Sequence, residues 1–351
     1  MKLLRRLLTA SLVVAIIATG CKKSEIKLVE LMGAGATFPM PLYQKMFDEY
    51  YQKTGTKINY QGIGSGGGIK QITAKTVDFG ATDAFLSDDK EKEIGSKILH
   101  IPTCLGSVVV TYNIPENPQL KFDSAVLSDI FLGKIVKWND PKISALNPDV
   151  KLPDLNITVV SRADGSGTSF IFTDYLSKVS EEFATKVGRG NSVTWPVGIS
   201  GKGNPGVSGL VSQTTGAIGY VELIYALQNK MSYGIIKNKS GNFVIPSLAS
   251  TSASAQIEIP DHTKASITDT DAPNGYPISS FTWILIYKEQ NYNGRDKNLA
   301  KAVVDALWWT THEGQTICST LDYAPLPLKA LEKVEKLLRS VTYDGKKLVN
   351  K

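Results

Sequence analysis

Residues 57–83 read KINYQGIGSGGGIKQITAKTVDFGATD. Ile58 and Tyr60 share one face of a short strand over 57–61, and a glycine-rich turn over 62–68 holds Ser65. A short helix follows over 69–74, then a second strand over 77–81, with Asp83 just past its carboxyl end. Strand, turn, helix and strand in that order form one unit of an open, mostly parallel α/β sheet. In such sheets ligands bind beyond the carboxyl ends of the strands.

Working outward, residues 26–32 give an earlier strand, and Gly33-Ala34-Gly35-Ala36-Thr37-Phe38-Pro39 a loop. Pro39 suits a helix start, and Leu42, Tyr43, Met46, Phe47 and Tyr50 follow a helical period that ends before Gly55. Downstream, the β-branched run 107–111 precedes Asn113, Pro115, Asn117 and Pro118, a change of texture that marks a crossover into a second αβ region. That region carries a helix over 124–131 and a strand over 157–160. Next come the loop Ser161-Arg162-Ala163-Asp164-Gly165-Ser166-Gly167-Thr168-Ser169 and a helix striped by Phe170, Phe172, Tyr175, Leu176 and Val179. A strand over 216–221 and a helix over 222–228 follow, and residues 238–256, rich in Ser, Asn and Ala, read as surface. The apolar strand 281–287 reads as a return crossover, before helices over 299–309 and 331–338. On the first of these, one of Trp308 and Trp309 is expected to face the core and the other solvent. The first domain is then built from both chain ends, and two crossover strands form a hinge beside a cleft.

The chain has 351 residues, 42% of them apolar and 21% charged, a globular composition of a length that suits two domains. Lys2, Arg5 and Arg6 precede the apolar run 12–18, with Gly20 and Cys21 behind it. This is the pattern of an export signal over residues 1–20, and Ala18-Thr19-Gly20-Cys21 resembles a lipoprotein cleavage site with Cys21 as the lipidated residue. The run is too short to span a bilayer, which takes about 20 residues. Removal of the signal halves the formal net charge of +6, leaving no polybasic patch and no reason to expect nucleic acid. Cys104 and Cys318 remain, as a disulfide permitted by export or as two buried thiols.

Three loops precede helices and carry hydroxyls: Thr37-Phe38, Ser65, and Ser166-Gly167-Thr168. Free N–H groups at helix starts favour anions, although Ser and Thr there are also ordinary caps. Arg162 offers a planar fork matched to two oxygens of an oxyanion, with Asp164 placed to orient it. Asp83 should repel an anion unless the anion carries a proton for its carboxylate to accept, which phosphate has and sulfate lacks. A rival reading takes Gly62-Ile63-Gly64-Ser65-Gly66-Gly67 as a dinucleotide-binding turn, with Asp83 as the ribose-binding acid. Neither Ser65 nor Ser166 sits in a Gly-x-Ser-x-Gly elbow, and His100, His262 and His312 lack ligand spacing, so no metal and no catalytic residue is expected.

These blocks resemble the phosphate-binding protein (PstS) family of bacterial high-affinity phosphate ABC transporters. They are residues 33–39, 62–68, 77–83 and 162–169, joined by Leu132-Gly133-Lys134-Ile135, Lys137-Trp138, Gly201-Lys202-Gly203-Asn204, 216–222 and Leu321-Asp322-Tyr323-Ala324. Gly66 stands where many members have Ser. The resemblance implies a two-lobed periplasmic binding protein type II fold. Each lobe is a mostly parallel sheet flanked by helices, and a two-stranded hinge joins them. Residues 21–106 and 280–351 would form lobe I, and 107–279 lobe II. It further implies that Thr37, Phe38, Ser65, Asp83, Arg162, Ser166, Gly167 and Thr168 bind inorganic phosphate, with Asp164 behind Arg162. The implied protein is a non-catalytic monomer without cofactor that serves a permease driven by a cytoplasmic ATPase. A related receptor kept for sensing or adhesion would also bind phosphate, but would not restore uptake.

Overall fold

The computed structural model describes residues 29–349. The expected export signal and Cys21 lie outside the described residues. Among those described, no helix is long and apolar enough to cross a membrane.

A continuous sheet runs through the molecule. Its strands lie in the order Lys57–Gly62, Glu30–Gly35, Phe79–Thr82, Ser279–Tyr287, Ile98–Tyr112, Ala217–Glu222, Thr158–Arg162 and Ile199–Gly201, with Ser232–Tyr233 added beside Ile98–Tyr112. The first three strands are parallel, as are Ala217–Glu222, Thr158–Arg162 and Ile199–Gly201. Between these parallel blocks stand the two crossover strands, antiparallel to each other and to their outer neighbours.

Ile98–Tyr112 is one 15-residue strand, buried along its whole length. Residues up to Ser107 pair with Ser279–Tyr287, and from Val108 onward the partner is Ala217–Glu222. A single strand therefore edges both halves of the sheet. Trp283 lies in the return strand, buried, with its indole N–H donated to Thr263 O at 3.1 Å.

Several boundaries differ from the sequence reading. The first strand is Glu30–Gly35, so Gly33-Ala34-Gly35 is ladder, paired with Phe79-Gly80-Ala81. The helix after the second strand is Ser65–Thr73, so Gly66-Gly67-Gly68 is its first turn. A Cβ at Gly68 would stand 2.6 Å from Gly35 Cα and 2.7 Å from the carbonyls of Ala34 and Ala81, so only glycine lets the helix sit this close to the strands. The third strand is Phe79–Thr82, and Arg162 closes the strand Thr158–Arg162 rather than following it. The last two helices expected are longer, Lys297–Thr311 and Leu328–Arg339.

Residues 238–256 lie at the surface as expected over 239–243 and at Ile245, Ser247, Ala249, Ser252 and Gln256, but part of the stretch turns inward. Asn238, Ser250, Thr251 and Ser254 are buried, and Leu248–Ser254 is a helix with a Ser247/Ser250 capping box. Small hydroxyl and amide side chains are buried here because they find partners. Asn238 Nδ2 donates to three carbonyls near residue 273, and the Thr251 and Ser107 hydroxyls lie 2.7 Å apart. Trp308 and Trp309 are both half-buried rather than divided between core and solvent; Trp308 stacks on His312 and Trp309 leans on Tyr50. His100 is buried, with Nε2 accepting the Leu86 N–H at 3.0 Å, and burial pushes its pKa down to about 3. Cys104 and Cys318 are free thiols, both buried.

Candidate functional site

Each expected residue follows from local structure. Thr37 and Phe38 occupy the bend between the strand Glu30–Gly35 and the helix Met40–Thr54. Both are buried and their carbonyls are pinned, Thr37 O by the Tyr225 hydroxyl at 2.5 Å and Phe38 O by that of Tyr323 at 2.6 Å. The Phe38 ring points into the core against Tyr323, so this residue can offer the site only its backbone. Ser65 opens its helix behind Gly64. Ser166 caps the helix Gly167–Val179, its Oγ accepting the Ser169 N–H at 3.0 Å.

These elements meet across the middle of the molecule. Ser65 Oγ accepts the Gly167 N–H at 3.0 Å and the Asp83 N–H at 3.2 Å. The Gly66 N–H donates to Gly165 O at 2.8 Å. Thr37 Oγ1 accepts the backbone N–H and the Nδ2 of Asn204, each at 3.1 Å. A fourth helix start therefore joins the three expected, that of Gly203–Gln213. Glycine at 167 is required by this closeness, because a Cβ there would lie 2.5 Å from both Asp83 Oδ2 and Ser65 Oγ.

Arg162 lies flat in the site, its side chain 1% exposed. Nε donates to Asp164 Oδ1 at 2.8 Å, Nη2 to Oδ2 at 2.6 Å, and Nη1 to Thr168 Oγ1 at 3.2 Å. The Gly203 N–H also reaches Asp164 Oδ1, at 2.9 Å. Burial opposes the charge on Asp164, yet the bonds from Arg162 and Gly203 hold its carboxyl below the usual range. Arg162 is thus oriented, and its charge is paired with that of Asp164.

Asp83 is 1% exposed, and burial pushes its pKa up to about 7, against the Thr282 hydroxyl, the Arg162 charge and Ser65, which all favour the carboxylate. Thr282 donates to Oδ1 at 2.8 Å and Ser65 to Oδ2 at 3.4 Å. A carboxyl that titrates near neutrality can take a proton from a bound group or give one back. The glycine turn that fits a dinucleotide pattern instead abuts the opposite half of the chain; a Cβ at Gly64 would meet Asp164 Oδ2 at 2.1 Å. Among the described residues, no group of three or more His, Cys, Asp and Glu could hold a metal ion.

Sequence reasoning missed three participants. Asn204 was legible as part of a motif but carried no role. Thr282 gave no signal, being one threonine in an apolar strand whose partner is 199 positions away. Glu222, fully buried, accepts the Ile224 N–H at 2.8 Å, and burial holds its carboxyl well above the usual range.

Residues 22–307 match the family model described as a PBP superfamily domain. A phosphate-binding protein PstS of Pasteurella multocida is 43% identical over 327 residues, 91% of this chain and 93% of that one. One of Xylella fastidiosa is 44% identical, over 89% of this chain and 85% of the other. Solved structures share the fold at lower identity. A putative phosphate ABC transporter substrate-binding protein of Clostridium perfringens, with bound phosphate, has a TM-score of 0.63 at 19% identity, covering 85% of this chain and all of that one. A phosphate-binding protein of Stenotrophomonas maltophilia has a TM-score of 0.66 at 17% identity, covering 88% and 93%. The fold is that of the type II periplasmic binding proteins, and with more than two-fifths of its residues shared along nine-tenths of its length, this chain belongs to the PstS family of phosphate-binding proteins.

Proposed function

We propose that this chain binds inorganic phosphate in a cleft between two lobes and delivers it to an ABC permease for import. Lobe I is residues 21–106 with 280–351, and lobe II is 107–279. The ligand set is Thr37, Phe38, Ser65, Asp83, Arg162, Ser166, Gly167 and Thr168, with Asp164 holding Arg162. The observation that carries the reading is Asp83, a buried carboxyl that titrates at about 7 beside Ser65 and the amide of Gly167. In its carboxylate form, above that midpoint, such a group accepts a hydrogen bond from protonated phosphate and repels sulfate, whose missing proton leaves two acceptors face to face.

The protein acts as a receptor rather than an enzyme. It is exported and monomeric, anchored through lipid on Cys21, and serves a permease with a cytoplasmic ATPase. More than one acyl chain on that cysteine would give stable attachment.

Isothermal titration with phosphate, arsenate and sulfate at two pH values tests the reading. At the pH above the Asp83 midpoint, phosphate and arsenate should bind at least about 100-fold more tightly than sulfate, the scale of an unpaired buried acceptor, and the margin should narrow at the lower pH, where Asp83 carries a proton. Equal affinity for phosphate and sulfate would remove Asp83 from the role given to it.

A further inference from the structure

We propose that Asn204 is a positioning residue that fixes the hydroxyl protons of Thr37 and Thr168, so that both threonines meet the anion only as donors. The inference rests on the phosphate reading above.

Asn204 is fully buried, and both polar atoms of its side chain are hydrogen-bonded. Its Nδ2 lies 3.1 Å from Thr37 Oγ1 and 3.1 Å from Thr168 Oγ1. Its backbone N–H lies 3.1 Å from Thr37 Oγ1, and its Oδ1 accepts the Glu222 N–H at 3.0 Å. The last bond sets the amide the right way round. A flip would face NH2 against the Glu222 N–H and an oxygen against the two hydroxyls.

A hydroxyl has one proton to give and two lone pairs to fill. Both lone pairs of Thr37 are filled by Asn204. Those of Thr168 are filled by Asn204 Nδ2 and Arg162 Nη1. What each oxygen has left is its own O–H. The unprotonated oxygens of the phosphate offer only acceptors to such a group, so the hydroxyl needs no reorientation when the guest arrives. Thr168 and Asn204 belong to the same lobe and Thr37 to the other. The Thr168 proton is therefore set in advance, while the Thr37 proton is set as the halves meet. Ser65 also accepts from two amides, those of Asp83 and Gly167, but its own O–H is directed at Asp83 Oδ2, 3.4 Å away.

The test is a double-mutant cycle read by phosphate titration: wild type, Asn204→Ala, Thr37→Val/Thr168→Val, and the three changes together. Asn204→Ala should weaken phosphate binding at least about 30-fold in the native background and less than about threefold where the hydroxyls are already gone, because coupled groups are not additive. If wild type does not bind phosphate, the phosphate reading fails before Asn204 is judged. If wild type binds and Asn204→Ala stays within threefold of it, or costs equally in both backgrounds, Asn204 does not act through the hydroxyls and the proposal falls. Should Asn204→Ala not fold, Asn204→Ser is carried through the same cycle and judged by the same two limits.

Discussion

The Oγ of Ser65 and the backbone N–H of Gly167 lie 3.0 Å apart, 102 residues separated in the chain and on opposite halves of the sheet. This bond joins two helix starts directly, so each half contributes part of the other's wall. It also sets how little space a side chain at position 167 would have.

Gly167→Ala should therefore obstruct closure. Its Cβ would sit 2.5 Å from Asp83 Oδ2 and Ser65 Oγ, well inside contact distance. Phosphate affinity is expected to fall at least about 100-fold, the cost of overpacking by a few kcal/mol. Small-angle scattering with saturating phosphate should show a larger radius than wild type. Unchanged affinity would mean that the two helix starts have slack that the distances deny.

Asp83 makes ligand-free stability depend on pH. Its carboxyl titrates at about 7 in the folded chain and near 4 when unfolded. Between those values the folded state holds a proton that the unfolded state has lost, so stability falls as pH rises from about 4 to 7. Glu222, also raised by burial, acts in the same direction. Urea denaturation in phosphate-free buffer should give a lower midpoint at pH 8 than at pH 5. Asp83→Asn should flatten that slope, by a few kcal/mol as an order of magnitude. A midpoint independent of pH in wild type would contradict the raised value.

Thr282→Val should raise the Asp83 midpoint further. The Thr282 hydroxyl donates to Oδ1 at 2.8 Å and is the largest of the effects that favour the carboxylate. Following the Asp83 side-chain carboxyl by carbon NMR, with and without the change, reads the shift directly. A midpoint that stays put or falls would remove Thr282 from the account.

Arg162→Ala should weaken phosphate binding by about 2–5 kcal/mol, the scale for truncating one partner of a buried charged pair. Arg162→Lys should rescue little, because Nε, Nη1 and Nη2 point to separate partners and an ammonium cannot reproduce that planar fork. Titration calorimetry of both variants checks the order. Lysine restoring wild-type affinity would show that charge alone suffices.

Much of the frame was legible because strand alternation and helix starts repeat over residues 30–82. The boundaries were less so. Gly33-Ala34-Gly35 reads as a loop by composition, yet it pairs with Phe79-Gly80-Ala81, a contact that tertiary packing decides. Residues 238–256 read as surface because their side chains are small and polar, and much of the stretch is exposed; the burial of Asn238 and Thr251 within it depends on partners such as Ser107 and the carbonyls near residue 273. Of the eight expected ligand positions, Ser65, Asp83 and Gly167 are joined by hydrogen bonds, and Thr37, Thr168 and Arg162 are joined through Asn204 and each other, whereas the hydrogen bonds of Phe38 and Ser166 go to other residues, Tyr323 and Ser169 among them. Asn204 and Thr282 escaped notice because their contacts depend on partners distant in the chain, Thr37 at 167 positions and Asp83 at 199.

The strand Ile98–Tyr112 changes partner between Ser107 and Val108 without leaving the sheet. Neither half owns that rail: cutting the chain at 107 would expose a raw ladder edge on both fragments at once. The two halves should thus melt together, and neither should survive as an independently expressed piece.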